Sequence, residues 1–165
     1  MTLSQIFLAS ITNPKKIAAF RLLPIGKVIQ YVFLFVTLLT IMSFVNFSIG
    51  FSQDFSGIQG LLEYMDDMEW ILYPFAFVIQ FIMSTLLIFA RISLMAFAGM
   101  LILKIYRHRG DYRHVWRTTA FAYTVPTLLS ILFLYLGLSD GWITLITTVC
   151  CFVYLVLSLK YYPKR

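Results

Sequence analysis

The sequence predicts an all-α, polytopic helical membrane bundle with four transmembrane segments and an N-terminal interfacial amphipathic helix. Of the 165 residues, 61% are hydrophobic and 12% are charged. A soluble domain usually has about 45–50% apolar and about 25% charged residues. One core of this size cannot bury such an apolar surplus, so we expect lipid to solvate much of the surface. The Lys and Arg residues also lie beside the apolar runs, which is the pattern that sets membrane orientation.

The apolar runs divide a single membrane domain, residues 1–165, into eight predicted segments. A hydrocarbon core of about 30 Å requires about twenty apolar residues per helical span. The segments are an interfacial segment (1–27), span 1 (28–49), an acidic external loop (50–69), span 2 (70–103), a basic connection (104–114), span 3 (115–136), span 4 (142–159) and a tail (160–165).

The N-terminal segment is too short and too mixed in polarity to span. Residues 2–11 have apolar residues at helical spacing with polar residues between them, which predicts an amphipathic helix at the interface. The apolar residues are Leu3, Ile6, Phe7 and Ile11. Pro14 is suited to the first position of a second short helix, which we expect to end by Pro24.

Span 2 is longer than a bilayer requires, because its 34 residues would extend about 51 Å as one helix. Two interpretations remain open. The helix crosses the membrane by about Arg91 and continues on the inner side, or it breaks near residues 96–99. In span 3, we expect Pro126 to bend the helix, because proline removes one backbone donor.

The distribution of basic residues predicts the topology. Twelve of the thirteen Lys and Arg residues precede span 1, accompany the connection between spans 2 and 3, or follow span 4, and Arg91 is the exception. Lys and Arg are enriched in cytoplasmic loops. The sequence therefore predicts a multi-pass protein of the cell membrane with both termini in the cytoplasm.

Two runs of residues resemble a known family. These are Asn-Pro-Lys-Lys-Ile at 13–17 and Tyr-Arg-His-Val-Trp-Arg at 112–117, the latter followed by Pro126. They are similar to an uncharacterised integral membrane family of Gram-positive bacteria, sometimes labelled maltodextrin-utilisation proteins. That family distantly resembles the Yip membrane-protein superfamily.

The resemblance implies a helical membrane fold and an association with sugar utilisation, without a defined activity. The partners of eukaryotic Yip proteins, which are small GTPases, would come to this chain by analogy alone. Members of the family tend to carry a larger insert after the first span, and this chain has only about eighteen residues there. A function carried by that insert is therefore in doubt here.

No catalytic motif is visible in the sequence. His108 and His114 are the only histidines, and neither belongs to a set of residues at metal-ligand spacing. The sequence also has no Gly-rich phosphate loop and no Gly-x-Ser-x-Gly elbow. Because no soluble basic domain remains beside the spans, nucleic acid is not an expected partner. We expect no enzyme activity, no cofactor and no metal.

Arg91 is the strongest polar feature inside a span. On a continuous helix, Gln80, Ser84 and Arg91 fall within about 40° of one another, which makes them a candidate intramembrane polar site. Arg91 either extends its charge to the cytoplasmic interface or binds a phosphate or backbone carbonyls inside the bundle.

Basic residues on the predicted cytoplasmic face are candidate contacts for anionic lipid. They are Lys15, Lys16, Arg21, Arg107, Arg109 and Arg113. The preferred function is a non-enzymatic membrane scaffold or accessory protein, with a membrane-protein partner or a homo-oligomer. The alternatives are a small transporter or channel subunit and a lipid-handling protein. The sequence identifies neither the partner nor the oligomeric state.

Overall fold

The computed structural model describes residues 3–12, 14–54, 61–136 and 139–163. All secondary-structure elements in these residues are helices. The elements are α1 (Leu3–Thr12), α2 (Pro14–Ala19), a 3₁₀ turn (Phe20–Leu22), α3 (Ile25–Asp54), α4 (Leu61–Ile105), α5 (Tyr112–Ala122), α6 (Thr124–Tyr135) and α7 (Asp140–Leu159). The predicted all-α class is confirmed. The part of the acidic loop at residues 55–60 lies outside the described residues.

Three of the described helices have the length and composition to cross a membrane. The apolar stretches are Ile25–Ile49, Trp70–Ile105 and Gly141–Leu159, in α3, α4 and α7. No more than about a third of the most apolar part of each is buried inside the protein. Contiguous apolar surface of this extent needs a solvent other than water. These helices indicate a membrane protein.

The predicted third span, residues 115–136, is not one helix. α5 ends at Ala122 and α6 begins at Thr124, with a turn at Tyr123 between them. Pro126 has no N–H to donate to the carbonyl of Ala122, so the helical hydrogen-bond ladder is interrupted at this point. α6 alone rises only about 18 Å. Among the described helices, three rather than the predicted four therefore have membrane length.

α4 continues without interruption through residues 96–99, which excludes a break of the helix there. The small residues there permit close packing. Ala96 and Gly99 are buried, and a Cβ atom at Gly99 would lie 2.9 Å from Cγ1 of Val115 and 3.1 Å from Cδ2 of Leu155. Small residues at helix interfaces let backbones approach closely. The segment that suggested a break is thus the place where α5 and α7 approach α4.

α1 packs against protein along one side. Ile6 is fully buried and Ser10 is buried beside it. The hydroxyl of Tyr154, on α7, donates hydrogen bonds of 2.9 Å to the carbonyls of Ser10 and Ile11. These carbonyls lie in the last turn of α1, where the helix itself supplies no donors. The interfacial location of α1 stays a prediction.

The residue contacts divide the chain into two units, residues 1–35 with 89–165 and residues 36–88. The first unit has an aromatic core in which the ring of Tyr31 lies 5.0 Å from that of Phe121, between centroids. The Tyr31 hydroxyl shares a 2.8 Å hydrogen bond with Thr124. In the second unit, the ring of Phe44 meets that of Phe77 edge-on at 5.3 Å.

Replacing Gly99 with Ala is expected to destabilise the protein by about 1–3 kcal/mol, the usual range for overpacking. Val115 is β-branched and fully buried, so its methyl group cannot move away easily. Gly26, in the first turn of α3, has no atom within 4 Å of an added Cβ and provides the control. Thermal unfolding in one detergent should give a lower midpoint for Gly99→Ala than for Gly26→Ala. Equal midpoints would contradict the close packing of α4.

Candidate anion-binding site

Residues from three distant parts of the chain meet at one end of the first unit. The backbone N–H of Arg109 donates a 2.9 Å hydrogen bond to the carbonyl of Pro163. The guanidinium carbon of Arg21 lies 4.7 Å from the centre of the Tyr162 ring, within the range of a cation–π interaction. The N-terminal segment, the α4–α5 connection and the C-terminal residues therefore lie together.

Tyr162 is the centre of this assembly, and only 3% of it is exposed. Its hydroxyl shares a 2.7 Å hydrogen bond with Thr118 and donates to the carbonyl of His114 at 3.2 Å. A Cβ at Gly110 would lie 3.1 Å from the Tyr162 ring. Desolvation by burial raises the pKa of the Tyr162 phenol above its usual 10.0, against the lowering effects of Thr118 and Arg21. The phenol is therefore neutral, and able to donate, at neutral pH.

Two cavities open at this end and share residues 109–111 as a common wall. The small cavity has a volume of about 290 Å³ and is lined by Arg21, Leu22, Arg109, Gly110, Asp111, His114 and Pro163. The large cavity has a volume of about 720 Å³, and its other lining residues are Met100, Leu103, Lys104, Arg107, His108 and Tyr112. Three cations and two apolar side chains line the large cavity.

The small cavity combines charges of both signs. Arg21 and Arg109 each contribute a planar guanidinium, whose donors match the oxygens of phosphate or carboxylate. Asp111 is the one carboxylate, and its Oδ2 lies 3.9 Å from Nδ1 of His114. The surplus of positive charge favours an anion over a metal ion.

Arg107 adopts a left-handed backbone conformation with φ of 54°. Its N–H donates to the carbonyl of Lys104 at 3.2 Å, and the next N–H, of His108, donates to that of Leu103 at 3.0 Å. This pair of bonds is the Schellman motif, which ends α4, and glycine usually occupies the left-handed position. An arginine there costs about 1–2 kcal/mol of backbone strain.

The other predicted lipid contacts lie outside both cavities. Lys15 and Lys16 are exposed on α2, and Arg113 is exposed on α5. Arg117 was not among the predicted contacts. It donates from Nη1 to the carbonyl of Arg21 at 3.1 Å, and its buried Nε has no hydrogen-bond partner among the described residues. Arg21, Arg107 and Arg109 thus line the cavities. Arg117 lines neither cavity but is hydrogen-bonded to the backbone of Arg21.

The predicted intramembrane polar residues all lie on α4, which is continuous. Within the second unit, the side-chain amide of Gln80 donates to the hydroxyl of Ser43 on α3 at 2.6 Å, and Ser84 is half-buried. Arg91 belongs to the first unit and is exposed. The Gln80–Ser43 hydrogen bond links α4 to α3 within the second unit.

The described residues contain no group of three or more His, Cys, Asp or Glu side chains that could hold a metal ion. Cys150 and Cys151 are both free thiols on α7. The arginines that line the two cavities make anion binding the candidate chemistry of the site.

Charge counting found the arginines but missed the residues that position them. His114 was not expected to bind a metal, and Gly110, Asp111, Tyr162 and Pro163 were not predicted to be site residues. The sequence feature that pointed towards these residues was the predicted topology, in which the tail and the basic connection lie on the same side of the membrane. Topology alone gives no contact between them, since the contact depends on the packing of Tyr162 against Thr118.

Replacing Arg107 with Gly is expected to raise the thermal stability of the protein, by about 1 kcal/mol at its unfolding midpoint. Glycine reaches positive φ without the steric penalty of a Cβ atom, and both hydrogen bonds of the motif are made by the backbone. The matched control is Arg113→Gly, in the first turn of α5, which should lower stability because glycine is a poor helix former. A lower midpoint for Arg107→Gly than for the wild type would contradict the left-handed conformation.

Comparison with known proteins assigns the chain to a family. No curated protein and no solved structure matches it. One protein family matches in two overlapping segments, residues 5–65 and 56–159, which together cover nearly the whole chain. The chain belongs to the family described as "Protein of unknown function (DUF1189)".

Proposed function

We propose that the protein is a non-enzymatic membrane scaffold that binds anionic lipid headgroups at the cytoplasmic face through its basic end. The observation that carries the proposal is the convergence of Arg21, Arg107 and Arg109 around two cavities beside Tyr162. Juxtamembrane basic groups are attracted to anionic lipid by about 1 kcal/mol each. Anionic headgroups would relieve the mutual repulsion of these cations.

Four membrane crossings fit the contacts at the basic end. Arg109 and Pro163 share a backbone hydrogen bond, so they lie on the same side of any membrane. α7 lies between them and accounts for one crossing, so α5 and α6 together would make the return crossing. Residues 112–135 rise about 36 Å as a bent pair of helices, which is long enough for the core.

The same reasoning supports the orientation. Arg21 lies over Tyr162, so the N-terminal segment and the C-terminal residues are on the same side of any membrane. Along the chain, α3 and α4 lie between Arg21 and the α4–α5 connection, and they would supply two further crossings. Both termini would then be on the side that carries twelve of the thirteen basic residues, which the positive-inside rule assigns to the cytoplasm. The proposed lipid-binding end would then face the inner, anionic leaflet.

The scaffold role and the absence of catalysis are parts of this proposal. A lipid-bound basic end would recruit or position a membrane partner, which includes a second copy of this chain. The transporter or channel alternative and the association with sugar utilisation stay predictions, and the geometry described above favours neither.

The test is lipid retention by the full chain in nanodiscs of phosphatidylcholine with a minority of phosphatidylglycerol. Mass spectrometry of the lipid retained after detergent extraction should show enrichment of phosphatidylglycerol, and the enrichment should fall as salt rises. Arg107→Gln combined with Arg109→Gln removes two contacts of about 1 kcal/mol each, so enrichment should fall at least about thirtyfold.

The control for this experiment is Arg91→Gln, which removes one basic charge outside both cavities. It should leave most of the enrichment in place. Equal retention of neutral and anionic lipid by the wild type would refute the proposed function.

A further inference from the structure

We propose that the small cavity is a specific site for one polyol phosphate, in which arginines hold the phosphate and the Asp111–His114 pair holds hydroxyl groups. This inference rests on the proposed function and deepens it, because it names the ligand class of one cavity. The ligand is a phosphate carrying a small polyhydroxyl group, such as glycerol phosphate, either as a lipid headgroup or as a free molecule.

The phosphate half of the site is built from two arginines, of which Arg21 is held by a contact of its side chain and Arg109 by a hydrogen bond of its backbone. Arg21 is stacked over the buried ring of Tyr162, and Arg109 is fixed at its backbone by the hydrogen bond to Pro163. Guanidinium groups bind phosphate oxygens in a bidentate manner, and a preorganised side chain loses less entropy on binding. The side chain of Arg109 is exposed and lines the cavity, so its donors are available to a ligand.

The Asp111–His114 pair forms the part of the site that would bind hydroxyl groups. This role explains why an acidic residue lies in a site for an anion. A carboxylate repels phosphate, so Asp111 would weaken a site for bare phosphate. It precedes α5 but makes no capping hydrogen bond with its side chain, which is 86% exposed. An ionised carboxylate only accepts hydrogen bonds, and hydroxyl groups are neutral donors that suit it. His114, at 3.9 Å, can share the same hydroxyl groups.

Cavity size and shape restrict the ligand further. A volume of about 290 Å³ is at the small end of the usual range for ligand pockets, about 300–1,000 Å³. It accommodates a headgroup rather than a whole lipid. Leu22 and Pro163 form an apolar edge of the cavity, and Leu22 is 71% exposed. That edge would face the acyl chains of a lipid whose headgroup occupied the cavity.

The experiment compares two anionic lipids, phosphatidylglycerol and phosphatidylmethanol, for retention by the full chain in phosphatidylcholine nanodiscs. Phosphatidylmethanol carries the same singly charged phosphodiester, with a methyl group in place of the glycerol headgroup. The wild type should prefer phosphatidylglycerol about tenfold, the effect of one hydrogen bond to a charged group. Asp111→Asn should reduce this preference towards equality, because it removes repulsion of the phosphate in both lipids but weakens acceptance of the hydroxyl groups, which only phosphatidylglycerol carries.

Arginine variants separate the cavity from general attraction to the surface. Arg109→Gln keeps the backbone bond to Pro163 and should reduce retention of phosphatidylglycerol more than tenfold. Lys15→Gln and Arg113→Gln remove the same charge outside the cavity and should each reduce it no more than about fivefold. Thermal unfolding of each variant provides a check that the fold persists.

The outcomes distinguish the two proposals. Equal losses for Arg109→Gln, Lys15→Gln and Arg113→Gln would overturn the specific site and leave the lipid-binding function standing, as would equal retention of the two lipids by the wild type. Failure to enrich either anionic lipid would overturn both. Soluble glycerol 1-phosphate provides the last arm. If it displaces phosphatidylglycerol, the site accepts the free molecule, and if it does not, the site requires the lipid.

Discussion

The packing of Tyr162 is the interaction on which the basic end depends. Its ring lies beneath the guanidinium of Arg21 and against Gly110, and its hydroxyl bonds to Thr118 and to the carbonyl of His114. This buried tyrosine contacts all three segments, and the backbone hydrogen bond from Arg109 to the carbonyl of Pro163 adds a second link between two of them. The C-terminal residues therefore complete a site whose charges come from elsewhere in the chain.

Several unfavourable features lie at this same end. Arg107 occupies a position suited to glycine, and a buried Nε of Arg117 has no partner among the described residues. Arginines are also brought together without matching acids, because Asp111 is the one carboxylate lining either cavity. Local departures from stable packing and charge balance tend to occur at functional sites. Binding of anions would compensate the charge imbalance, and the other two features lie at the same end of the protein.

Sequence patterns predicted the helices well where apolar length decided the outcome, as in α3, α4 and α7. The sequence patterns were less informative where tertiary packing determines whether a helix continues or which residues meet. Residues 96–99 suggested a break in a helix, but their small side chains serve the approach of Val115 and Leu155. Pro126 was expected to bend a span, and the structure divides it there into two helices. Charge counting located the arginines of the site, but the roles of Tyr162 and Asp111 depend on contacts between residues far apart in sequence.

The basic end forms only if the N-terminal segment lies close to the C-terminal residues. Leu22 and Pro163 line the same small cavity, so cysteines at these two positions should be joined efficiently by a short bifunctional maleimide. The variant Leu22→Cys, Pro163→Cys would be prepared with Cys150 and Cys151 replaced by Ala, and with the protein in native membranes. The control pair is Leu22→Cys with Ser139→Cys, at the opposite end of α7, about 30 Å along the helix. Cross-linking of the first pair alone is the predicted result, and absence of cross-linking in the first pair, with both cysteines reactive, would contradict the account.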